Sequence, residues 1–219
     1  DHVSADGLDI IISAKGHNET GKKFMKIGSI ILAAGNGSRF QAEQHKLLVR
    51  LNGKAVIRYS AEKALQAGFL PVIVVLGYQK DDILVQLQGL PVLCIENPDW
   101  QSGQSTSLKK GIELIQDEVD AACLMLADQP FVSIRTLRKL EEVQKKNPES
   151  IIVPTYQGKN GNPTMFPHWT FQALIDQPAN DLGGRNIIKQ YGAKYVEVKD
   201  PFVIRDIDTK EDLIDYSKK

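Results

Sequence analysis

Two cationic side chains follow a loop of small residues near the start of the chain. The apolar run at residues 30–34 leads into this loop, and Arg39 and Lys46 lie beyond it. Gly35 and Gly37 allow positive φ angles and a close approach of the backbone to a ligand, which exposes N–H groups to anionic oxygens. Two nearby cations can neutralise a polyphosphate. The stretch therefore predicts a triphosphate-binding loop after the first strand of an α/β sheet.

Two acidic residues follow other strand-like runs. Asp128 ends the apolar segment 121–127 and precedes Gln-Pro, and Asp206 follows the apolar residues 202–204. A carboxylate at the carboxyl end of a central strand is well placed to hold a divalent ion over bound phosphates. For Asp128, a turn or helix N-cap role is equally consistent with the segment. Asp208 or Thr209 is typical of an N-cap for a following helix, which leaves Asp206 as the candidate second metal ligand.

Three further segments carry polar or glycine-rich residues that could bind a ligand. Gly103, Ser105 and Ser107 offer small donors at the start of a predicted helix, where a base or phosphate could bind, although simple capping also explains them. The segments 161–163 and 183–185, taken alone, are more typical of turns. Their candidate residues are Gly161, Asn162, Pro163, Gly184 and Arg185.

The elements that must position these residues alternate between strands and helices from about residue 28. The predicted strands are Ser29–Ala33, Pro71–Leu76, Pro91–Ile95, Ala121–Leu126, Ser150–Pro154, Thr164–Phe166 and Lys194–Val198. The predicted helices are Val56–Ala67, Lys80–Gln88, Ser105–Gln116, Ile134–Lys146, Gly183–Gln190 and Lys210–Ser217. Such alternation implies parallel pairing with helices on both faces of the sheet. We expect a three-layer, doubly wound, mostly parallel α/β fold with its ligand site at the carboxyl ends of the strands.

Composition narrows the classes of protein that the chain can represent. Its 219 residues suffice for one sizeable core, and we expect a single domain over residues 25–219 after an N-terminal extension, residues 1–24, of unknown role. Lys plus Arg number 27 and Asp plus Glu number 27, a balance that argues against non-specific nucleic-acid binding. No apolar run approaches the roughly 20 residues of a membrane span, and no signal-peptide pattern is present, so we expect a cytoplasmic protein. Both cysteines lie in strand-like runs, which predicts buried structural thiols.

Together the motifs resemble the molybdopterin nucleotidyltransferase family of the MobA-like NTP transferase superfamily. The resemblance covers about residues 28–215 and is closest to the molybdenum cofactor cytidylyltransferase branch. The first motif is Leu32-Ala-Ala-Gly-x-Gly-x-Arg39 with Lys46-Leu-Leu, which is similar to the signature loop of many sugar-nucleotide pyrophosphorylases. The later motifs resemble the molybdopterin branch and comprise Asn97-Pro-Asp-Trp with Gly103, Ser105 and Ser107, then Ala127-Asp-Gln-Pro, Gly161-Asn-Pro, Gly183-Gly-Arg and Asp206-Ile-Asp-Thr.

This resemblance implies a nucleotide-diphospho-sugar transferase fold, Rossmann-like and similar to glycosyltransferase A. It implies attack by the terminal phosphate of molybdopterin on the α-phosphorus of a nucleoside triphosphate, with release of pyrophosphate. By the same resemblance, Asp128 and Asp206 hold Mg²⁺, and Arg39, Lys46 and Asp128 are catalytic. The nucleotide-binding residues that it implies are Leu32, Ala33, Ala34, Gly35, Gly37, Ser38, Arg39, Lys46, Gly103, Ser105 and Ser107. The acceptor-side residues are Gly161, Asn162, Pro163, Gly184 and Arg185.

The resemblance favours CTP over GTP as the donor. Guanylyl-using relatives carry Gly where this chain has Ala34, and a side chain there narrows the space beside the base. The Asp128-Gln-Pro motif is similar to that of members that serve purine or xanthine hydroxylases, which implies a molybdenum hydroxylase or its chaperone as a partner. Three alternatives remain: a GTP-using guanylyltransferase, a transferase for a sugar or alditol phosphate, and a non-catalytic nucleotide-binding accessory protein. The intact set of cations and acids argues against the last.

Overall fold

A computed structural model describes residues 24–37, 45–207, 209 and 212. Its centre is an eight-stranded sheet with the order β10-β7-β9-β6-β1-β4-β5, in which β8 pairs with β7 outside this path. The strands are β1 (Ile27–Ala33), β4 (Val72–Leu76), β5 (Leu93–Glu96), β6 (Ala121–Leu126), β7 (Ile152–Tyr156), β8 (Lys159–Asn160), β9 (Thr164–Pro167) and β10 (Lys194–Glu197). A separate antiparallel pair consists of β2 (Arg50–Leu51) and β3 (Lys54–Ala55).

Six α-helices connect these strands in the described part of the chain. They are α1 (Val56–Ala67), α2 (Lys80–Leu87), α3 (Gln104–Ile115), α4 (Ile134–Lys146), α5 (Phe171–Asp176) and α6 (Arg185–Tyr191). Short 3₁₀ turns lie at Lys46–Leu48, Trp100–Ser102, His168–Thr170 and Pro201–Ile204. None of the helices in these described ranges combines the length and the apolar character that a bilayer crossing requires.

The helices cover both faces of the sheet, and β1 shows how the faces are separated. Successive side chains of a strand point to opposite faces. Ile31 packs in the core on the side of α1, α2 and α4, whereas Ile30 packs in the core on the side of α3, α5 and α6. Both isoleucines are fully buried. The predicted three-layer, doubly wound architecture is therefore confirmed.

Local sequence explains where several helices begin and end. Ser133 caps α4, because its hydroxyl accepts a hydrogen bond from the Thr136 N–H at 3.2 Å. Gly68 ends α1 in the left-handed region at φ +90°, where its N–H reaches the carbonyls of Ala64 and Leu65. The predicted cap at residue 208 or 209 also has a described counterpart: Thr209 and Asp212 exchange hydrogen bonds in a capping box. The rest of the helix predicted at Lys210–Ser217 lies outside the described residues.

Parallel pairing does not extend to every predicted strand. β1 pairs in parallel with β4 and β6, and β10 pairs in parallel with β7, but β9 runs antiparallel to both β6 and β7. The physical reason is the length of the connection. A parallel crossover needs about a dozen residues or more, and only residues 157–163 lie between β7 and β9. The sheet is therefore mixed, although mostly parallel.

The prediction of buried thiols is confirmed fully for Cys123 and partly for Cys94. Both Cys94 and Cys123 are free thiols within strands. Cys123 is fully buried, and burial raises the pKa of its thiol. Cys94 is only half-buried, and burial raises its thiol pKa to about 11. Neither group is a thiolate near neutral pH, so a structural role fits both.

Candidate functional site

A cleft of about 1120 Å³ opens at the carboxyl ends of the central parallel strands. The strand order places the end of β6 between the end of β1 on one side and β9, β7 and β10 on the other. This edge is where a doubly wound sheet binds its ligand. Most residues predicted for the site line this cleft: Leu32, Ala33, Ala34, Gly35, Gly37, Lys46, Ser107, Asp128, Gly161, Asn162, Gly184, Arg185 and Asp206.

The loop after β1 forms one wall of the cleft through residues 34–37. Gly37 adopts φ +60°, and a Cβ added there would lie 3.2 Å from Cγ of Lys46, so the glycine serves both the turn and a close contact. The expectation of positive φ is wrong for Gly35, which is not among the described residues with that conformation. Two predicted ligands of the nucleotide, Ser38 and Arg39, lie outside the described residues.

His45 fastens this loop to the turn that carries Lys46. Its Nε2 lies 2.9 Å from the carbonyl oxygen of Gly35, and its Nδ1 accepts the Leu47 N–H at 3.2 Å. One donor and one acceptor nitrogen describe a neutral imidazole. Burial lowers the pKa of His45; the Gly35 carbonyl and Asp128 oppose this shift and Lys46 reinforces it. The imidazole is therefore a fixed, neutral link between the two segments.

Lys46 and Asp128 meet inside the cleft. The Nζ of Lys46 donates to Oδ2 of Asp128 at 2.6 Å, and both side chains are largely buried. The Lys46 stem lies against Gly37, which leaves its ammonium group directed across the cleft toward the end of β6. The sequence places these two residues 82 positions apart, and the fold brings the predicted cation and the predicted acid into direct contact.

Asp206 lies beside Asp128 at the same edge of the sheet. The Ile207 N–H donates to the Asp128 carbonyl at 2.9 Å, which ties the segment after residue 204 to the loop after β6. Gln129 donates from Nε2 to Oδ1 of Asp206 at 2.6 Å. Both acids line the cleft. The two carboxylates proposed for a metal are thus carried by adjacent, directly bonded segments.

The loop after β6 is held from below by helix α1. Lys63 donates from Nζ to the carbonyls of Pro130 and Val132, at 2.5 and 2.8 Å. Burial lowers the pKa of Lys63 to about 8, although Asp200 nearby acts in the opposite direction. Lys63 therefore satisfies two carbonyls of the segment that carries Asp128 and Gln129.

The donor set suits a hard divalent cation. Mg²⁺ is commonly held by one or two carboxylates, with waters and substrate phosphates completing its coordination. Asp128 and Asp206 supply two carboxylates, and no group of three His, Cys, Asp or Glu residues suited to a metal exists among residues 24–37 and 45–207. This arrangement fits an open site, in which waters or phosphate oxygens complete the coordination of the ion, and it does not resemble a closed structural metal site.

Two residues of the second motif have structural partners outside the cleft. A Cβ on Gly103 would lie 2.4 Å from the backbone of Asn180. Ser105 accepts the Asn180 N–H at 2.8 Å through its hydroxyl. Neither residue lines the cleft, and both hold the loop that leads to α6. Ser107 does line it, and its hydroxyl accepts a hydrogen bond from Asn97 at 2.9 Å.

The aromatic residue of the Asn97-Pro-Asp-Trp motif, which is not among the predicted site residues, flanks the loop after β1. Trp100 lines the cleft, and a Cβ at Gly77 would lie 2.8 Å from its Cγ and 2.9 Å from the Ala34 methyl. Gly77 thus lets the indole and the Ala34 side chain come close together. Tyr78 continues this wall, with ring centroids 5.9 Å from Trp100 and 5.7 Å from His45.

The opposite half of the cleft combines cations with amide and aromatic groups. Arg185 and Lys189 lie one turn apart on α6, and Asn160, Asn162 and Tyr195 also line this half. Lys189, Asn160 and Tyr195 are additions to the predicted set. The sequence signal for Lys189 is its four-residue spacing from Arg185 on a predicted helix, which places both side chains on one face. Pro163 is buried and does not line the cleft.

Glycines shape this half through close packing. A Cβ on Gly184 would lie 2.4 Å from Cζ of Phe166, and one on Gly161 would lie 2.3 Å from the Val203 carbonyl oxygen. Both positions exclude a side chain, because the nearest neighbours are a buried ring and a backbone atom. The two glycines therefore let the loops before β9 and α6 close against the sheet.

Comparison with known proteins identifies the family to which the chain belongs. Residues 29–195 match the family described as MobA-like NTP transferase domain. Among curated relatives, the bifunctional protein GlmU of Legionella pneumophila is 31% identical over 142 residues, which cover 64% of this chain and 30% of that protein. The match thus spans less than a third of the length of this relative.

Solved structures share the architecture over nearly their full length. A nucleotidyl transferase from Methanothermobacter thermautotroptrophicus superposes with a TM-score of 0.75 at 24% identity and covers 88% of this chain and 96% of its own. Rv0371c from Mycobacterium tuberculosis, in complex with manganese, gives a TM-score of 0.70 at 26% identity, over 89% and 99% of the two chains. The fold is thus that of nucleotidyltransferases.

Proposed function

Because the chain belongs to the MobA-like NTP transferase domain family, we propose that it transfers a nucleotidyl group from a nucleoside triphosphate to a phosphorylated acceptor. The acceptor is a molybdopterin-type cofactor, the donor is CTP, and the product that leaves is pyrophosphate. The observation that carries the proposal is the contact of Lys46 with Asp128 beside Asp206, opposite the small-residue loop after β1. Cation, acids and exposed backbone amides are the groups that a reacting polyphosphate needs.

In this reaction a phosphate oxygen of the acceptor attacks the α-phosphorus of the nucleotide. The bond between the α-phosphorus and the oxygen that bridges to the β-phosphate breaks, and pyrophosphate carries away the electron pair. The protein aligns two anions that repel each other and neutralises the charge that builds up. Lys46 neutralises triphosphate oxygens, and the backbone N–H groups of residues 34–37 orient them, assisted by Arg39 and Ser38.

The proposal includes a divalent cation, Mg²⁺, held by Asp128 and Asp206. When bound, such an ion draws negative charge from the phosphates and lowers their mutual repulsion. The chain contributes two carboxylates on bonded neighbouring segments. The manganese complex of the M. tuberculosis relative supports a divalent ion at a site of this fold.

Support for CTP comes from the wall beside the loop after β1. The Ala34 methyl and the Trp100 indole both lie close to Gly77. Together these two side chains reduce the space available to a base in this part of the cleft. A pyrimidine has one ring fewer than a purine and needs less of that space. The side chains of Gln101 and Gln104, which also line the cleft, provide amide donors and acceptors for the polar edge of a base.

Support for an anionic, ring-bearing acceptor comes from the opposite half of the cleft. Arg185 and Lys189 provide positive charge, Asn160 and Asn162 provide amides, and Tyr195 provides an aromatic face. The cleft volume of about 1120 Å³ exceeds the roughly 300–1,000 Å³ that is common for a site with a single small ligand. Room for two substrates side by side is what a transfer between them requires. The Asp128-Gln-Pro motif supports a molybdenum hydroxylase or its chaperone as the protein that receives the product.

Replacement of Asp128 by Asn tests the proposal directly. The change keeps the size of the side chain, removes the charge that faces Lys46, and replaces a carboxylate metal ligand by a neutral amide, which is a weaker one. We expect pyrophosphate release from CTP, in the presence of acceptor and Mg²⁺, to fall by a factor on the order of 100 or more. Circular dichroism and thermal unfolding are expected to show an intact fold.

The matched control is Asp181→Asn, which removes another carboxylate that lines the same cleft. Asp181 lies in the loop before α6, on a different element from Lys46 and Asp128. We expect this variant to retain most of its pyrophosphate release. Near-normal turnover by Asp128→Asn would contradict the role of Asp128 in the reaction and the metal site proposed there.

A further inference from the structure

We propose that Gln129 is a positioning residue that orients the Asp206 carboxylate for the divalent cation. The proposal rests on the metal site of the proposed function and assigns a role to a residue outside the predicted site. Its basis is the hydrogen bond from Gln129 Nε2 to Oδ1 of Asp206, at 2.6 Å. An amide donor to a carboxylate at this distance is a short, charge-assisted hydrogen bond.

The two partners differ sharply in their surroundings. Gln129 is only 4% exposed, whereas Asp206 is exposed and lies on a segment without regular structure. An acid on such a segment loses conformational freedom when it binds a metal, and that loss weakens binding. A buried amide on the adjacent loop removes much of this freedom in advance.

The loop that carries Gln129 is itself well anchored. Lys63 bonds the carbonyls of Pro130 and Val132, and the Gln129 N–H donates to the Leu126 carbonyl at 3.3 Å. The amide therefore transmits the rigidity of β6 and α1 to the exposed carboxylate. Outer partners of this kind, bonded to metal-binding side chains, fix their orientation.

A purely structural link between the two segments is a different role, and the backbone already provides it. The Ile207 N–H bonds the Asp128 carbonyl at 2.9 Å, so the segments stay joined without the Gln129 amide. What the Gln129 bond adds is specific to the carboxylate of Asp206. Its removal is therefore expected to affect the binding of a metal more than the stability of the fold.

A neutral amide also suits this position electrostatically. A carboxylate in place of Gln129 would lie at hydrogen-bond distance from Asp206, and two like charges so close favour the protonation of one of them. A hydrophobic side chain would leave the carboxylate oxygen without this donor. An amide donates to Asp206 and leaves its negative charge in place for a cation.

The test is Gln129→Met, which preserves the length of the side chain and removes the donor. Mn²⁺ binding is measured by the electron paramagnetic resonance signal of the free ion, with no nucleotide present. We expect the Mn²⁺ affinity to fall by about tenfold or more, the range typical for loss of an outer partner of a metal ligand. Gln129→Asn, whose shorter side chain cannot reach Asp206, is a second variant with the same expected direction.

Two comparisons make the result specific. In an Asp206→Asn background, Gln129→Met is expected to cause no further loss of Mn²⁺ affinity, because the carboxylate that it orients is gone. Gln144→Met is the matched control, since Gln144 is a fully buried amide in α4 that donates to backbone carbonyls. That variant is expected to lose stability and to keep its Mn²⁺ affinity.

The outcomes separate this inference from the proposed function. If the unchanged chain binds Mn²⁺ and releases pyrophosphate, and both Gln129 variants bind Mn²⁺ with unchanged affinity, the positioning role is overturned and the function stands. If the unchanged chain binds no Mn²⁺, the metal site and the role of Gln129 are both overturned. Equal losses of affinity with and without the Asp206 carboxylate would also contradict the role.

Discussion

Among the described residues, one cation and two acids lie at the centre of the cleft. Lys46 touches Asp128, and Asp206 is bonded to Gln129 on the same loop, so the acids are held by different donors. A Lys ammonium is a mobile point charge on a flexible stem. In the proposed reaction, Asp128 would bind the cation and Lys46 would turn to the phosphate oxygens, so the ion pair describes the chain before its substrates bind.

The methyl group of Ala34 leads to a prediction about the preference for CTP over GTP. In Ala34→Gly the space over Gly77 and beside Trp100 enlarges, so GTP should become a better donor. We expect the ratio of kcat/KM for CTP over GTP to fall by about tenfold, the usual scale for one methyl group in a fitted pocket. Initial rates with each nucleotide at a fixed acceptor concentration measure this ratio.

The neighbouring residue provides the control for this experiment. Ala33 also lines the cleft but packs in the core on the side of α1, so Ala33→Gly removes a methyl group of equal size from another place. Its nucleotide ratio is expected to stay unchanged. An unaltered ratio in Ala34→Gly, or an equal shift in both variants, would contradict the steric basis for CTP.

Residue type and spacing predict the charged members of the site but not their supports. Lys46, Asp128 and Asp206 follow strand-like runs and glycines, and such positions carry a recognisable pattern. Gln129 lies in the Asp128-Gln-Pro motif, but nothing in that motif indicates its bond to Asp206, 77 positions away. His45 follows no recognisable pattern, and its role is seen only in its contacts with Gly35 and Leu47. Gly103 and Ser105, which are predicted to bind the nucleotide, share a structural partner in Asn180 that their spacing does not indicate.

The loop after β6 shows how one element controls the site through another. Helix α1 contributes Lys63, whose ammonium bonds two loop carbonyls while burial lowers its pKa to about 8. In the unfolded chain, the Lys pKa is near its ordinary 10.5. Between these values the unfolded state binds more protons than the folded state, so the contribution of Lys63 to stability rises with pH.

The prediction is a pH-dependent difference between the unchanged chain and Lys63→Met. The variant is expected to be less stable at neutral pH, because the carbonyls of Pro130 and Val132 lose their donor. The stability difference should then grow as the pH rises from about 8 to about 10. Urea unfolding at several pH values measures the free energy of unfolding of both proteins.

Arg58→Met serves as the control for the same helix. Arg58 also donates to two backbone carbonyls, those of Gln86 and Gln88, and a guanidinium keeps its charge throughout this pH range. Its stability difference is expected to be the same at each pH. Parallel pH profiles for Lys63→Met and Arg58→Met would contradict the account of Lys63.

Elements with strong periodicity were predictable, and the short ones were not. The seven predicted strands and five of the six predicted helices lie where the sequence places them, and α4 has the predicted bounds. Helix α5 and the pair β2–β3 were missed, because two- to six-residue elements carry too few side chains to show a period. The antiparallel direction of β9 could have been predicted from the sequence, because only residues 157–163 connect it to β7.

At the scale of the whole molecule, the sheet order separates two halves of one cleft. The loop after β1 and Trp100 form one half, α6 and β10 form the other, and the end of β6 with its acids lies between them. A donor and an acceptor bound in the two halves would meet at Asp128 and Asp206. This arrangement suits the proposed transfer between two substrates.

The alternatives differ in what the cleft would produce. A guanylyltransferase would join GMP to the same acceptor. A sugar-phosphate transferase would catalyse the same kind of transfer but to a different acceptor. An accessory protein would bind a nucleotide and release nothing. The cation and the two acids that line the cleft near the end of β6 favour turnover, because simple binding of a cofactor does not require them.

The most direct measurement incubates the protein with molybdopterin-type acceptor, Mg²⁺ and each of the four nucleoside triphosphates in turn, and identifies the products by mass. The account predicts a CMP adduct of the acceptor, accompanied by one pyrophosphate for each adduct, and lost in Asp128→Asn. A nucleotide that binds and is recovered unchanged in every reaction, with no pyrophosphate formed, would contradict it.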